Sequence, residues 1–194
     1  RVKQVMVRRL KRRINELYKV PRFCRRLPPS AVNLALGKYE ENLFQAFERF
    51  RKAIHIAVAQ EGRSRQLAGS FAVEIFGKRL ISCPVAFADS WWRSREAFAT
   101  SDAASDRDVD KAGKASKEDT ASDAETEARE AVASHVVGAW LLNLSGLIGD
   151  EIAAMDQALE KLGLGRDATP AVSINPREDK KLAETIALID RLLL

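Results

Sequence analysis

The chain has 194 residues, 46% of them hydrophobic, with 32 Lys or Arg against 27 Asp or Glu and a formal net charge of +5. That composition supplies one sizeable core or two small ones and excludes a disordered chain. Cys24 and Cys83 lie far apart, with no Cys-x-x-Cys and no histidine pair beside them. This excludes a disulfide framework or a zinc site and fits a reducing, cytoplasmic setting.

The charge is unevenly placed. Residues 1–30 hold eleven basic side chains, among them Arg8, Arg9, Lys11, Arg12 and Arg13, against the single acid Glu16, while the rest of the chain is mildly acidic. A head of +10 points to a polyanion partner, most often nucleic acid, with a merely solvated basic face as the alternative. Val2, Val5, Met6, Leu10, Ile14 and Leu17 fall on one side of a helix over residues 2–17. Pro21, Pro28 and Pro29 interrupt regular structure, and the alternation of Val32, Leu34 and Leu36 suits a short strand near 32–36 that Gly37 ends. Residues 1–37 thus read as a basic helix with a proline-rich connector.

Residues 38–99 read as helical hairpins. Leu43, Phe47, Phe50, Ile54 and Val58 recur at steps of three and four, which predicts an amphipathic helix from Lys38 to about Gln60. His55, at the edge of that stripe, has no acid or nucleophile placed beside it and reads as a boundary residue. After a turn at Glu61-Gly62, Leu67, Phe71, Ile75 and Phe76 mark a second helix ending near Lys78, Arg79 and Leu80. Pro84 suits the first turn of a third, where its missing N–H costs nothing. Phe87, Trp91 and Phe98, with Trp92 nearby, have the spacing of core aromatics rather than of base-stacking platforms.

Between Thr100 and Glu130 stand ten acids, five bases and only one sizeable apolar residue, Val109. Residues 100–123 therefore read as an acidic low-complexity linker, unable to bury enough surface to offset its ordering entropy. Residues 124–165 read as a long helix with Val132, Val136, Trp140, Leu144 and Leu147 on one stripe and Ile148, Ile152, Met155, Leu159 and Leu162 continuing it. Its uncharged part, Ala131–Gly149, is near the minimum bilayer span, but acids flank it on both sides, and a buried helix rather than a membrane segment is the expectation. Residues 166–194 read as a loop and a helix, with Asn175 as cap, Pro176 at the first position and Leu182, Ile186, Ile189 and Leu193 on one face. The expected fold is mainly α, with at most that one short strand.

Catalytic motifs are missing from the sequence: there is no phosphate-binding loop ending in Gly-Lys-Ser/Thr, no GxGxxG, no HExxH and no GxSxG. Three blocks nevertheless stand out. The first runs from Met6-Val7-Arg8-Arg9-Leu10-Lys11 to Leu27-Pro28-Pro29 and the alternating residues after it. The second is Gly77-Lys78-Arg79-Leu80-Ile81-Ser82-Cys83-Pro84-Val85-Ala86-Phe87, and the third is Asp179-Lys180-Lys181-Leu182. In this order they resemble the stretch of Swi/Snf-family ATPases that leaves the first RecA-like lobe, passes through a helical protrusion and enters the second lobe. The second block is similar to that of bacterial helicase-like members. It lacks the histidine of the Cys-Asn-His-Pro turn found in eukaryotic remodellers. Together with Arg22-Phe23-Cys24 and Gly69–Ile75, the blocks look most like the Swi/Snf-like helicases of bacterial DISARM phage-defence systems.

The resemblance implies a cytoplasmic segment of a longer polypeptide, inserted between two RecA-like lobes and coupling their motion. It implies no cofactor in this segment, ATP and magnesium bound by the parent protein, and inactivity of the segment alone. The implied partners are the duplex DNA backbone, the RecA-like lobes and other proteins of the defence system, with no membrane. The implied DNA contacts are Arg8, Arg9, Lys11, Arg12, Arg13, Lys78 and Arg79; for Arg8 and Arg9 the alternative is pairing with acids of the lobes. A standalone helical adaptor that docks a protein partner through its leucine-rich end is the competing reading.

Overall fold

In the computed structural model the described residues are 11–20, 31–116, 122–166 and 179–193. The chain divides into two units, Arg1–Asn33 and Leu34–Leu194, and the fold is mainly α-helical. In the first unit the described helix is α1 (Lys11–Leu17), inside the helix expected over 2–17. Residues 1–10 and the connector 21–30 lie outside the described residues.

The second unit is built on the aromatic stripes. Helix α2 (Lys38–Val58) buries Leu43, Phe47, Phe50, Ile54 and Val58, the five positions its periodicity predicts. Helix α3 (Arg63–Ser82) packs against α2 and supplies Phe76, and α4 (Pro84–Thr100), opened by Pro84, supplies Phe87 and Trp91. Their rings meet edge to face, with centroids 5.3 Å apart for Phe50 and Trp91 and 5.4 Å for Phe76 and Trp91, the arrangement the ring quadrupoles favour. Leu67 departs from its expected stripe and is 56% exposed.

The described part of residues 100–123 differs from the expected linker. Asp106–Ala115 forms a helix, α5, that packs against α3 and against α6 (Asp123–Leu141). Three contacts stabilise it despite its polar sequence. Val109 is fully buried, Gly113 lies flush against the ring of Phe71, and Asp106 Oδ1 accepts the indole N–H of Trp140 at 2.8 Å. Its start is a capping box: Ser105 Oγ accepts the Asp108 N–H, and Asp108 Oδ2 accepts the N–H and the hydroxyl of Ser105 at 3.1 and 2.6 Å.

Those bonds, helped by Lys111, hold the Asp108 carboxyl below the ordinary aspartate range. A carboxylate depressed in the folded state contributes stability above its unfolded pKa and loses it as pH falls through the folded one. The start of α5 is therefore expected to loosen only below the usual aspartate range. Side-chain carboxyl NMR should show Asp108 titrating below the ordinary aspartate value, and Ser105→Ala should move it back toward that value.

The long helix expected over 124–165 is broken. Helix α6 ends at Leu141, a 3-10 turn covers Leu142–Leu144, and α7 (Ser145–Lys161) departs from helical geometry at Ile148, with φ −125° and ψ 17°. The bend shifts the buried face. Val132 and Leu147, expected in the core, are 60% and 69% exposed, while Ala133, Val137, Trp140, Leu141, Leu144 and Ile148 are buried. The remaining stripe, Ile152, Met155, Leu159 and Leu162, is buried as predicted. By length and composition Ala124–Lys161 is apolar enough to cross a membrane, yet half of its most apolar window is buried inside this unit. At the end of α7, Gly163 takes a positive φ of 80° and the Leu164 N–H reaches back to Leu159 O at 2.8 Å, a Schellman stop. The turn aims Leu164 O at the Trp92 indole N–H, 2.8 Å away.

Among the described residues there is no strand. Residues 31–37, where the alternation suits one, are neither helix nor strand, and Val32, Leu34 and Leu36 are at least 37% exposed. Alternation alone makes no strand where no second segment supplies the other half of the ladder. The last described helix is α8 (Lys180–Leu193); Asn175 and Pro176, its expected start, lie outside the described residues. Asp179, 5% exposed, caps it by accepting the Leu182 N–H at 2.8 Å.

Candidate functional site

Two of the three blocks singled out in the sequence meet in space. The N-terminal turn of α8 is seated where α2 begins and α3 ends, and three side chains make the junction. Glu40, at the third position of α2 and 3% exposed, accepts the Gly37 N–H at 2.7 Å and the Lys180 N–H at 3.0 Å. One carboxylate thus satisfies orphan amides at the starts of two helices whose dipoles both favour negative charge there. Lys181 extends to the end of α3, where Nζ donates to Ile81 O at 3.0 Å and Ser82 O at 2.9 Å. A cation on the last carbonyls of a helix complements its dipole and closes groups that have no partner within the helix. Asp179 completes the junction as the cap of α8.

The sequence-predicted contact residues do not converge. Arg8 and Arg9 lie outside the described residues. Lys11, Arg12 and Arg13 open the described part of α1, with their side chains outside the description. Lys78 pairs with Glu74 one turn earlier at 2.6 Å and stays 69% exposed, free to swing toward another anion. Arg79 is engaged inside the protein: it pairs closely with Glu130 of α6, both side chains are about two-thirds buried or more, and its Nε is buried with no acceptor. Lys78 and Arg79, neighbours in sequence, therefore differ in role, one a surface cation and the other a tie between α3 and α6.

Glu40, Asp179 and Lys181 were not singled out for chemistry by the sequence. The spacing of Gly37 and Glu40 carries a capping signal, but nothing in it shows that the same carboxylate also holds a backbone amide 140 positions away. Between α3 and α5 lies an open cleft of about 230 Å³, floored by Ala68, Phe71 and Val109 and edged by Glu74, Asp110 and Lys114. Asp110 and Lys114 pair at 2.6 Å and Glu74 pairs with Lys78 at 2.6 Å, so each charge on its rim already has a partner. No group of three or more His, Cys, Asp or Glu side chains among the described residues could hold a metal ion. The junction therefore organises helix ends and offers no acid, base or nucleophile aimed at an open site. No family model, curated protein or solved structure matches the chain.

Proposed function

We propose that the chain is the helical coupling segment of a cytoplasmic, ATP-dependent DNA helicase or translocase of Swi/Snf type, serving phage defence. The observation that carries this reading is the order of the three blocks, which resembles the family's path from one RecA-like lobe to the next. Contact between the second and third blocks, through Lys181 and the carbonyls of Ile81 and Ser82, supports it. A coupling segment needs its exit helix held rigidly to its body, and a junction that joins α2, α3 and α8 at their ends meets that need.

In this reading the basic head, Arg8, Arg9, Lys11, Arg12 and Arg13, meets phosphates of duplex DNA, aided by Lys78. Such contacts are independent of sequence and sensitive to salt. Arg79, spent on Glu130, keeps the body in shape instead. ATP and magnesium belong to the lobes of the parent protein.

In the intact polypeptide, Lys181→Ala is expected to reduce DNA-stimulated ATP hydrolysis at least fivefold while leaving the unstimulated rate within twofold. An intact polypeptide whose ATP hydrolysis is indifferent to duplex DNA would remove the motor reading. The second reading, a helical adaptor, draws on the exposed apolar face of α8, where Leu182, Ile186, Ile189 and Leu193 are 42%, 44%, 48% and 79% exposed. Retention of a protein partner by the isolated chain, lost with Ile186→Glu, together with no affinity for DNA, would favour it.

A further inference from the structure

Helix α5 is held unevenly along its length. Its N-terminal end is pinned at three points: the Ala104 N–H donates to Ala139 O at 3.2 Å, Ala104 O accepts an Asn143 Nδ2–H at 2.9 Å, and Asp106 accepts the indole N–H of Trp140 at 2.8 Å. Asn143 is itself held by a second bond, to Trp140 O at 3.0 Å. All of these partners belong to the end of α6 and the 3-10 turn after it. The far end is tied more loosely. There Arg129 Nη1 reaches Ala115 O at 3.4 Å, an exposed contact longer than a well-formed hydrogen bond.

Between its ends, little apolar surface seats the helix. Val109 and Gly113 are the buried residues of α5, whereas α3 beside it buries Val73, Ile75, Phe76 and Leu80 as well as smaller residues. Gly113 brings no side chain to the seat, and a glycine inside a helix weakens it. Val109 and Gly113 also border the cleft between α3 and α5, so the described residues fill that side of the seat incompletely. A helix of ten residues is not stable by itself in water. Leaving the seat and unravelling are therefore one event.

We propose that α5 is a strap over the groove between α3 and α6, which opens from its C-terminal end about a pivot at Ala104 while the rest of the body stays folded. Elements with few buried apolar contacts and exposed backbone bonds open locally, at lower free energy than the whole domain. Opening bares the ring face of Phe71, which Gly113 covers, and the small hollow that Ser116 shares with Arg79 and Glu130. The strap thereby sets how far water reaches the ion pair that ties α3 to α6. It rests on the packing and tethers of α5 and is independent of the motor reading.

Native-state hydrogen exchange of the full 194-residue chain, followed by NMR at urea concentrations below the unfolding transition, is the test. The amides of Lys111, Ala112, Gly113 and Ser116 are expected to be at least a hundredfold less protected than those of Phe76 and Val137. Their opening should depend little on urea, because it exposes little surface. The Ala104 amide is expected to keep the protection of the Trp140 amide. Equal protection and equal urea dependence across α3, α5 and α6 overturns the strap, and an Ala104 amide as weakly protected as that of Ser116 overturns the pivot. Thiol labelling gives a second readout, with Cys24 and Cys83 replaced by serine. A chain carrying Val109→Cys should react with iodoacetamide at least a hundredfold faster than one carrying Val137→Cys, both with the wild-type circular dichroism spectrum. Equal rates contradict the proposal.

Discussion

Replacing Gly138 by alanine is expected to destabilise the helical body by about 3 kcal/mol, at the upper end of what overpacking costs. A β-carbon at this position would lie 2.7 Å from Ser94 Cα and closer still to the Ser94 carbonyl oxygen. The obstacle is backbone, not the far end of a flexible side chain, so α4 and α6 must separate along their most extensive contact. Ser90, Ser94, Ala97, Ala133 and Ser134 are all buried around the crossing, and their small side chains are what let the two helices approach. Separation would open gaps along that whole line. Gly149→Ala is the control. Nothing lies within 4 Å of its added methyl, and it should gain up to about 1 kcal/mol, because alanine loses less backbone entropy than glycine in a helix. Urea unfolding followed by circular dichroism separates the two, with opposite shifts of midpoint at equal slope.

Asp156→Ala is expected to cost about 2–3 kcal/mol through unmet hydrogen bonds rather than lost apolar area. Asp156 Oδ1 accepts the indole N–H of the fully buried Trp91 at 2.7 Å, and Oδ2 accepts Arg95 Nε–H at 3.2 Å. Arg95 has little else to turn to: its Nη1 is already buried without an acceptor, and its guanidinium lies over the Phe98 ring at 4.8 Å. Truncating the carboxylate leaves an indole donor and a largely buried cation unpaired, the expensive half of a broken pair. Asp156→Asn keeps an oxygen for Trp91 and should recover about half of the loss. If alanine and asparagine cost the same, the indole bond contributes little and the charge carries the effect. Near-ultraviolet circular dichroism, which senses the Trp91 environment, reports the same difference independently.

The helices that carry their own apolar stripe are legible in the sequence. Helix α2 is the clearest case, because its five buried positions are all large, all at helical spacing, and its ends are marked by Gly37 and Glu61-Gly62. Helix α5 was not legible for the opposite reason. Its one sizeable apolar residue, Val109, predicts nothing by itself, and the surfaces that order it belong to Phe71 of α3 and Trp140 of α6. The local sign that could have found it is the pair Ser105 and Asp108, a capping box at the right spacing. The bend between α6 and α7 escaped detection because periodicity assumes a straight axis; once the axis turns at Leu142–Leu144, Val132 and Leu147 leave the core. At the junction, residue types hinted at helix caps, but which helix each side chain closes is a matter of distance in space. Lys181 stands in the third block of the sequence, but nothing in that block shows that its ammonium closes the end of α3.

The same distinction separates Lys78 from Arg79. Sequence presents them as one basic pair, and charge alone assigns both to a polyanion. The fold gives Arg79 a partly buried partner in Glu130, whereas Glu74 holds Lys78 only at the surface. The weight of the DNA proposal therefore rests on the head of the chain, where eleven basic residues meet a single acid. A cluster of that density is not balanced by the acids near it in sequence, and phosphate neutralisation with release of counterions would give it a favourable partner.

The most direct test of that claim is fluorescence anisotropy of a labelled duplex titrated with the 194-residue chain over a range of salt concentrations. The wild-type chain is expected to bind at low salt without sequence preference, with log affinity falling linearly against log salt. Replacing Arg8, Arg9, Lys11, Arg12 and Arg13 together by alanine should weaken binding at least tenfold and reduce the salt slope by about 4.5, from five lost phosphate contacts. An isotherm and slope unchanged by those five replacements would contradict the account of the basic head as the DNA contact.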